Sequence, residues 1–371
     1  MKKFFSLVVA LAIFLCGSTS FAGEQLIEAT GDYIMDSRLD ETFASATARA
    51  REDAKRAAVE KAGVYLQSYS KMVDLRFEVD EVQSVAASLL KIQDETQNVE
   101  TMSGNLIKFT VTIKALVAEP NEADLKALMQ NRQALDEMTR KYNELQEKYD
   151  ALNQDMKKYR NEFDAADDTR KAEIKREVTL NSEKFSAVDE LARGNEFAAT
   201  GNRSQALAAY DKAIQLDSQL AEAYNNRGIV RYELGQFTEA IEDYSAAIRL
   251  KSNYADALNN RGNAYLTLEQ FQNAETDLKA AVKLNENSAT IHNNLGSVYM
   301  SQKKFDAALN EYTRALQLKP NFTEALYNRA ITRYAKGDFA GALLDLSSAM
   351  KLNPADPSAR ELYDKLARKT N

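Results

Sequence analysis

The chain has 371 residues, 44% hydrophobic and 28% charged, with a formal net charge of −7. This balance is ordinary for a soluble protein, the length allows two or three units, and an acidic chain without a basic stripe argues against nucleic acid as a partner. A single histidine and a single cysteine exclude a cysteine-ligated or histidine-rich metal centre.

The first 22 residues read as a secretory signal. Lys2 and Lys3 form a basic start, and Phe4–Leu15 is an apolar stretch too short to span a bilayer. Ser20-Phe21-Ala22 puts small residues at the two cleavage-defining places, so the cut is expected before Gly23. Cys16 would be acylated in a lipoprotein, but Leu15 stands before it where a small residue is preferred. No later apolar run approaches membrane-spanning length. The expectation is an exported protein of a Gram-negative periplasm, outer-membrane associated in the lipidated alternative.

Residues 24–118 predict a small α+β domain. Leu26–Met35 reads as a strand with a glycine break, and Asp40–Gln67 as an alanine-rich helix with Ala44, Ala48, Ala54, Ala58 and Ala62 available for close packing. Val73, Leu75, Phe77 and Val79 alternate with polar residues and predict a half-buried strand. Leu89–Val99 predicts a weaker strand. The run Ile107, Phe109, Val111, Ile113, Ala115, Val117 predicts the clearest one, with one face buried under the helix. The segment AREDAKRAAVEKAGVYL at 50–66, with FTVTIKALV at 109–117, resembles the N-terminal domain of flagellar assembly protein T and related small envelope lipoproteins. The resemblance implies a docking or assembly role without chemistry.

Residues 120–186 predict a long helix. Leu135, Met138, Tyr142, Leu145, Tyr149, Leu152, Met156, Tyr159 and Phe163 recur at steps of three and four, the spacing of a coiled-coil seam over 128–166. Such a seam makes a homodimer, or else an amphipathic helix folded back on a neighbouring domain.

From Ala187 to Asp356 the chain repeats five times at 34 residues with no insertion. Place 8 is Gly194, Gly228, Gly262, Gly296 or Ala330. Alanine recurs at place 20 (Ala206, Ala240, Ala274, Ala308, Ala342) and place 27 (Ala213, Ala247, Ala281, Ala315, Ala349). A bulky residue lies between them at Tyr210, Tyr244, Leu278, Tyr312 and Leu346, and a leucine ends each repeat's second helix at 216, 250, 284, 318 and 352. Three small columns and two bulky columns in phase describe pairs of antiparallel helices, and the pattern resembles the tetratricopeptide repeat (TPR). The departures are at place 4 (Glu190, Tyr224, Leu258, His292, Leu326) and at place 7, where arginine stands at 193, 227, 261 and 329 and leucine only at 295. Place 11 is aromatic except at Arg231 and Arg333. Segment 357–371 predicts a capping helix for the last repeat.

The resemblance implies a protein-binding surface. Asn226, Asn260, Asn294 and Asn328 occupy place 6 of repeats two to five, preceded by Asn225, Asn259 and Asn293. An asparagine amide offers a donor and an acceptor that match a peptide unit. The row is similar to the asparagine ladders of the TPR domains of O-GlcNAc transferase and kinesin light chain, which implies an extended peptide held by its backbone in a concave groove. The alternative is that the amides satisfy helix ends and loops. Tyr232, Leu266, Met300 and Tyr334 would set an apolar stripe beside the row. Place 2 (Glu222, Asp256, Thr290, Glu324) lacks the basic residues of a carboxylate-terminus clamp.

No phosphate loop or nucleophile elbow is present, and acidic pairs such as Asp94-Glu95 lie in polar stretches. His292 stands at a packing column. The fold class expected is multidomain and mainly α: a small α+β domain, a long coiled-coil helix, and an all-α solenoid with a capping helix. The function expected is a non-enzymatic periplasmic scaffold or adaptor without cofactors, binding protein segments and supporting an envelope complex. The alternative is a permanent structural subunit of an envelope machine, assembled through the coiled coil and the N-terminal domain.

Overall fold

The computed structural model describes residues 25–72, 77–118, 122–123, 125–126, 132–354 and 357–370. The expected signal and Cys16 lie outside the described residues. The chain divides into two compact units between Thr179 and Leu180.

The first unit contains a three-stranded antiparallel sheet of β1 (Gln25–Asp36), β2 (Leu90–Thr101) and β3 (Leu106–Val117), in the order β1-β3-β2. The alternation read in β3 is real. Phe109, Val111, Ile113, Ala115 and Val117 are buried on one face, beside Ile27 and Ala29 of β1. Helix α1 (Phe43–Met72) covers that face. It lies close to the sheet because alanine recurs every four residues on the contacting side, and Ala46, Ala50, Ala54, Ala58 and Ala62 are fully buried. Ala44, expected in that row, is exposed, while Ala48, Ala54, Ala58 and Ala62 are buried as expected and Ala46 and Ala50 join them. Gly31 of β1 completes the fit: a Cβ there would lie 2.7 Å from the backbone carbon of Asp53.

The strand expected at Val73–Val79 is not observed where the chain is described; Val73 and Leu75 lie outside the described residues. Val79 instead opens helix α2 (Val79–Leu89). Glu78 caps it reciprocally with Glu81, whose carboxylate accepts the Glu78 backbone N–H at 2.8 Å. Val82, Val85 and Ala86 then face the core at helical spacing. A capping box followed by that spacing outweighs a short alternation.

Where one long helix is expected at 120–186, the described residues form helix α3 (Arg132–Phe163) and, after a break at 164–167, the start of a second helix from Asp168. Leu135, Met138 and Tyr142 pack into the core under the sheet, while Met156 and Phe163 pack with Leu39, Ile174 and Val178. Polar contacts fasten α3 along its length: Thr139 to Ser84 at 3.0 Å, Gln146 to Glu52 at 3.2 Å, Asp150 to Arg56 at 2.5 Å, and Arg160 to the Ile34 carbonyl. Asn153 bonds Arg49, which is buried against Glu41 at 3.1 Å with Tyr33 donating to the same carboxylate. Residues 128–131 of the homodimer seam expected at 128–166 lie outside the described residues; from Leu135 to Phe163 the seam packs within the chain, as the folded-back amphipathic alternative expects.

The second unit is built from helix pairs. The C-terminal part of α4 (Asp168–Ala199) pairs with α5 (Arg203–Leu216) as repeat one. Repeats two to five are α6 (Ala221–Glu233) with α7 (Phe237–Leu250), α8 (Ala255–Thr267) with α9 (Phe271–Leu284), α10 (Ala289–Ser301) with α11 (Phe305–Leu318), and α12 (Thr323–Ala335) with α13 (Phe339–Leu352). Each first helix packs on its own second helix and on its neighbours, so a continuous core forms although no pair is a domain by itself. The alanines at places 20 and 27 are fully buried in all five repeats. Place 8 is small because place 24 is large. A Cβ on Gly228 or Gly296 would meet the ring of Tyr244 or Tyr312 at 2.7 Å. In repeat five Ala330 is tolerated opposite the smaller Leu346. The leucines ending the second helices fill less space than expected, since Leu284 and Leu352 stay 46% and 47% exposed. Helix α14 (Pro357–Thr370) caps the array, burying Ala359 and Leu366 against Ala330, Ala342 and Leu346. Among the described residues no helix is long and apolar enough to cross a membrane.

Candidate partner-binding face

The asparagines form a hydrogen-bonded spine along the first helices in two stretches, one from Asn195 through Asn226, Asn225, Asn260 and Asn259 to Asn294, the other joining Asn293 to Asn328 and Glu324. In each case the place-6 amide donates backward to the preceding repeat: Asn260 to Asn225 at 3.1 Å, Asn294 to Asn259 at 2.9 Å, and Asn328 to Asn293 at 3.1 Å. Asn226 has no place-5 asparagine behind it and donates to Asn195 at 2.8 Å, a residue that also accepts from the buried Tyr210 hydroxyl. Within a repeat, Asn225 donates to Asn226 and Asn259 to Asn260, at 3.1 and 3.3 Å. Asn293 donates instead to Glu324 at 3.0 Å.

The two columns of the row therefore differ. Asn225 and Asn293 are 4% and 1% exposed, and are interior members of the spine rather than surface groups. Asn226, Asn260, Asn294 and Asn328 are half-buried. A primary amide has two donor hydrogens and two acceptor lone pairs. Asn226 and Asn260 each spend one donor and one acceptor on the spine, so a second donor and a second acceptor are left on each, aimed by bonds that fix the rotamer. Beside them Tyr232 stacks edge-on to Phe237 at 5.1 Å and shares a hydrogen bond with Thr267 at 2.9 Å. Tyr334 leans on Phe339 at 5.8 Å. Leu266 and Met300 are half-buried against the core of repeats three and four. The row and the stripe thus sit on adjacent turns of the same helices.

The arginines at place 7 have a shared partner that sequence reasoning missed. Arg227, Arg261 and Arg329 each clamp an aspartate sixteen residues on: Asp243 (2.5 Å), Asp277 (2.7 Å) and Asp345 (2.7 Å). Each arginine also reaches back to the second helix of the preceding repeat, at Asp211, Ser245 and Thr313. Arg231 and Arg333, at place 11, add a second cation to Asp243 and Asp345. The aspartates are buried, and the paired cations neutralise them. The spacing of sixteen, kept three times, was the available signal. Repeat four departs, with Leu295 for the arginine and Glu311 for the aspartate. There His292 replaces the cation: its Nδ1 lies 2.6 Å from Glu311, and its Nε2 lies 3.1 Å from the Glu286 carbonyl. The Glu311 hydrogen bond holds the imidazole above its ordinary pKa, against burial and the nearby Arg314. His292 is a packing residue with an ionic partner, and no cluster of potential metal ligands occurs among the described residues.

Models of the tetratricopeptide repeat match residues 194–235 and 229–269, 259–321, and 295–367, a continuous tiling of the array. No curated protein matches the chain. Among solved structures, YrrB, described as a TPR protein with an unusual peptide-binding site, is 28% identical over 51% of this chain and 96% of its own, with a TM-score of 0.42. Pseudomonas aeruginosa pilF is 22% identical over 51% and 86%, with a TM-score of 0.47. MamA of Desulfovibrio magneticus is 19% identical over 46% and 97%, with a TM-score of 0.42. The period of 34, the glycine–tyrosine packing it produces and the family models that match from 194 to 367 all converge. This chain is a tetratricopeptide-repeat protein, of a family whose members generally serve as scaffolds for protein–protein interaction.

Proposed function

We infer that the chain is an exported, non-enzymatic scaffold of the Gram-negative periplasm, which holds an extended segment of a partner protein against the first helices of its repeats and supports assembly of an envelope complex. The observation that carries this is the state of Asn226 and Asn260. Their amides are oriented by the spine, and each retains a donor and an acceptor, which is what an extended backbone presents. The peptide-binding site named for YrrB supports the same reading. Export is supported by the basic start and short apolar run of Met1–Ala22.

The test is capture from envelope extract by the tagged chain, compared with the Asn226/Asn260/Asn294/Asn328→Ala variant after circular dichroism confirms retained helicity. A partner held by the wild type and lost by the folded variant supports the reading. Equal capture overturns it. If the quadruple variant unfolds, the Asn226→Ala/Asn260→Ala pair carries the same comparison. Export is tested by the N-terminus of the purified periplasmic protein, expected at Gly23. The permanent-subunit alternative assembles through the coiled coil and the N-terminal domain; the burial of Leu135, Tyr149 and Met156 weighs against the first of these and leaves the second.

A further inference from the structure

Repeat one lacks a charge that every later repeat has. Place 23 carries Asp243, Asp277, Glu311 and Asp345 in repeats two to five, but Ala209 in the first. The arginine that clamps the carboxylate elsewhere is nevertheless kept, as Arg193. Its side chain is 45% exposed, against 15%, 21% and 16% for Arg227, Arg261 and Arg329. The later arginines also take an oxygen from the repeat before them, and repeat one has no such predecessor among the five. Arg193 is thus short of both of the acceptors its counterparts use.

The missing side chain leaves a hollow of about 290 Å³, floored by Ala209 and walled by Glu190, Arg193, Phe197, Gln205 and Lys212. Glu190 is 6% exposed and ties the two cations to the wall, accepting from Arg193 at 3.0 Å and Lys212 at 2.5 Å. One carboxylate against two cations leaves a net positive hollow. The Arg193 contacts with Glu190 use Nη1 alone, and a guanidinium has five N–H donors. Phe197 and Ala209 give an apolar lining that would bury the stem of an acidic side chain.

We propose that this hollow binds a carboxylate from an acidic side chain of a partner protein, which takes the place that Asp243, Asp277 and Asp345 fill from within their own repeats. The site is separate from the asparagine face, and the two readings stand or fall independently. Arg193 supplies a planar pair of donors and Lys212 a second positive charge. Gln205 adds an amide at the rim.

The experiment is fluorescence polarisation of a fluorescein-labelled oligoglutamate peptide with the intact chain, at fixed ionic strength, with oligoserine as the uncharged control. Arg193→Gln and Lys212→Gln are compared with Lys251→Gln, a cation on another repeat. The expected result is binding to the wild type, weakened about five-fold by either hollow variant, which is the scale of a half-exposed ion pair, and unchanged by Lys251→Gln. Absence of binding, or the same loss from all three variants, overturns the proposal. If Arg193→Gln proves unfolded by circular dichroism, Lys212→Gln, whose side chain is 59% exposed, decides alone. The Asn226→Ala/Asn260→Ala pair is expected to bind oligoglutamate like the wild type, which separates this site from the asparagine face.

Discussion

Removing the Asp243 carboxylate tests whether the repeat array is held by its arginine clamps or only by its small-to-large packing. Asp243 is 3% exposed and accepts from Arg227 Nε at 3.0 Å, Arg227 Nη2 at 2.5 Å and Arg231 Nη1 at 2.9 Å. Asp243→Ala takes away the one anion and leaves two cations facing each other. Breaking a buried pair in this way costs about 3–5 kcal/mol when the stranded charge is fully enclosed. Here Arg227 keeps Asp211, and the two arginine side chains are 15% and 25% exposed, so water recovers part of the cost. We expect a loss of about 2–3 kcal/mol. Replacing the whole cluster, with Asp243→Leu, Arg227→Met and Arg231→Met together, removes the charges with the carboxylate and is expected to fall within about 1 kcal/mol of the wild type. The assay is urea unfolding followed by far-UV circular dichroism, with hydrogen exchange to localise the effect, because a solenoid can lose one repeat without losing all. A single-variant loss below about 0.5 kcal/mol, or a triple variant worse than the single, refutes the reasoning.

Three further outcomes follow from the packing and the titrating groups. Gly228→Ala places a Cβ 2.7 Å from the Tyr244 ring, so overpacking of about 1–3 kcal/mol outweighs the gain in helix propensity. Adding Tyr244→Leu, the Ala–Leu pairing that repeat five uses, is expected to restore most of it, and a double-mutant cycle in urea without coupling would sink this account. Asn260→Ala leaves Asn225 without its incoming donor and is expected to cost about 1–2 kcal/mol, with faster amide exchange at the junction of repeats two and three; an effect confined to repeat five would contradict it. The folded pKa of His292 is raised above its unfolded value by Glu311. Its contribution is therefore fully present below the unfolded value of about 6.5 and is lost as pH rises through the folded value. Melting temperatures between mildly acidic and alkaline pH should fall more for the wild type than for His292→Leu, the residue type of repeats three and five at that place; parallel profiles would refute this.

The sequence displayed this fold unevenly, for physical reasons. The 34-residue period was plain because each repeat solves the same packing problem, and Gly228 with Tyr244 recurs as Gly296 with Tyr312. Strand β3 was plain because its two faces have different solvents. The fate of α3 was not. Leu135, Tyr149 and Met156 say that a helix face is buried, and they say nothing about which surface buries it. Val73–Val79 misled because four alternating residues are fewer than a cap and two helical turns. The asparagine columns were visible as a row, yet only geometry shows that Asn225 and Asn293 are interior and that each place-6 amide bonds its predecessor. The arginine–aspartate spacing of sixteen lay in the sequence unread, because it crosses from one helix to the next.

Both polar networks run backward along the array, the Asn293 bond to Glu324 being the exception. Asn260, Asn294 and Asn328 reach back to the repeat before, and so do Arg227, Arg261 and Arg329. Structurally the array is a queue in which each member leans on the one ahead. Trimming the whole last repeat, α12 and α13, with α14 removes Asn328 and Arg329 together with the Asp345 that Arg329 clamps, and Asn260, Asn294, Arg227 and Arg261 keep their partners; of the amides and guanidiniums left, only Asn293 loses any, Glu324 and Asn328. Trimming repeats from the head strips the leading asparagine of an acceptor at every cut, and the leading arginine of an oxygen at every cut but the one before repeat four, where Leu295 stands. Shortened versions of this protein are therefore expected to tolerate loss from one end far better than from the other, a directionality that its near-uniform helices would not suggest.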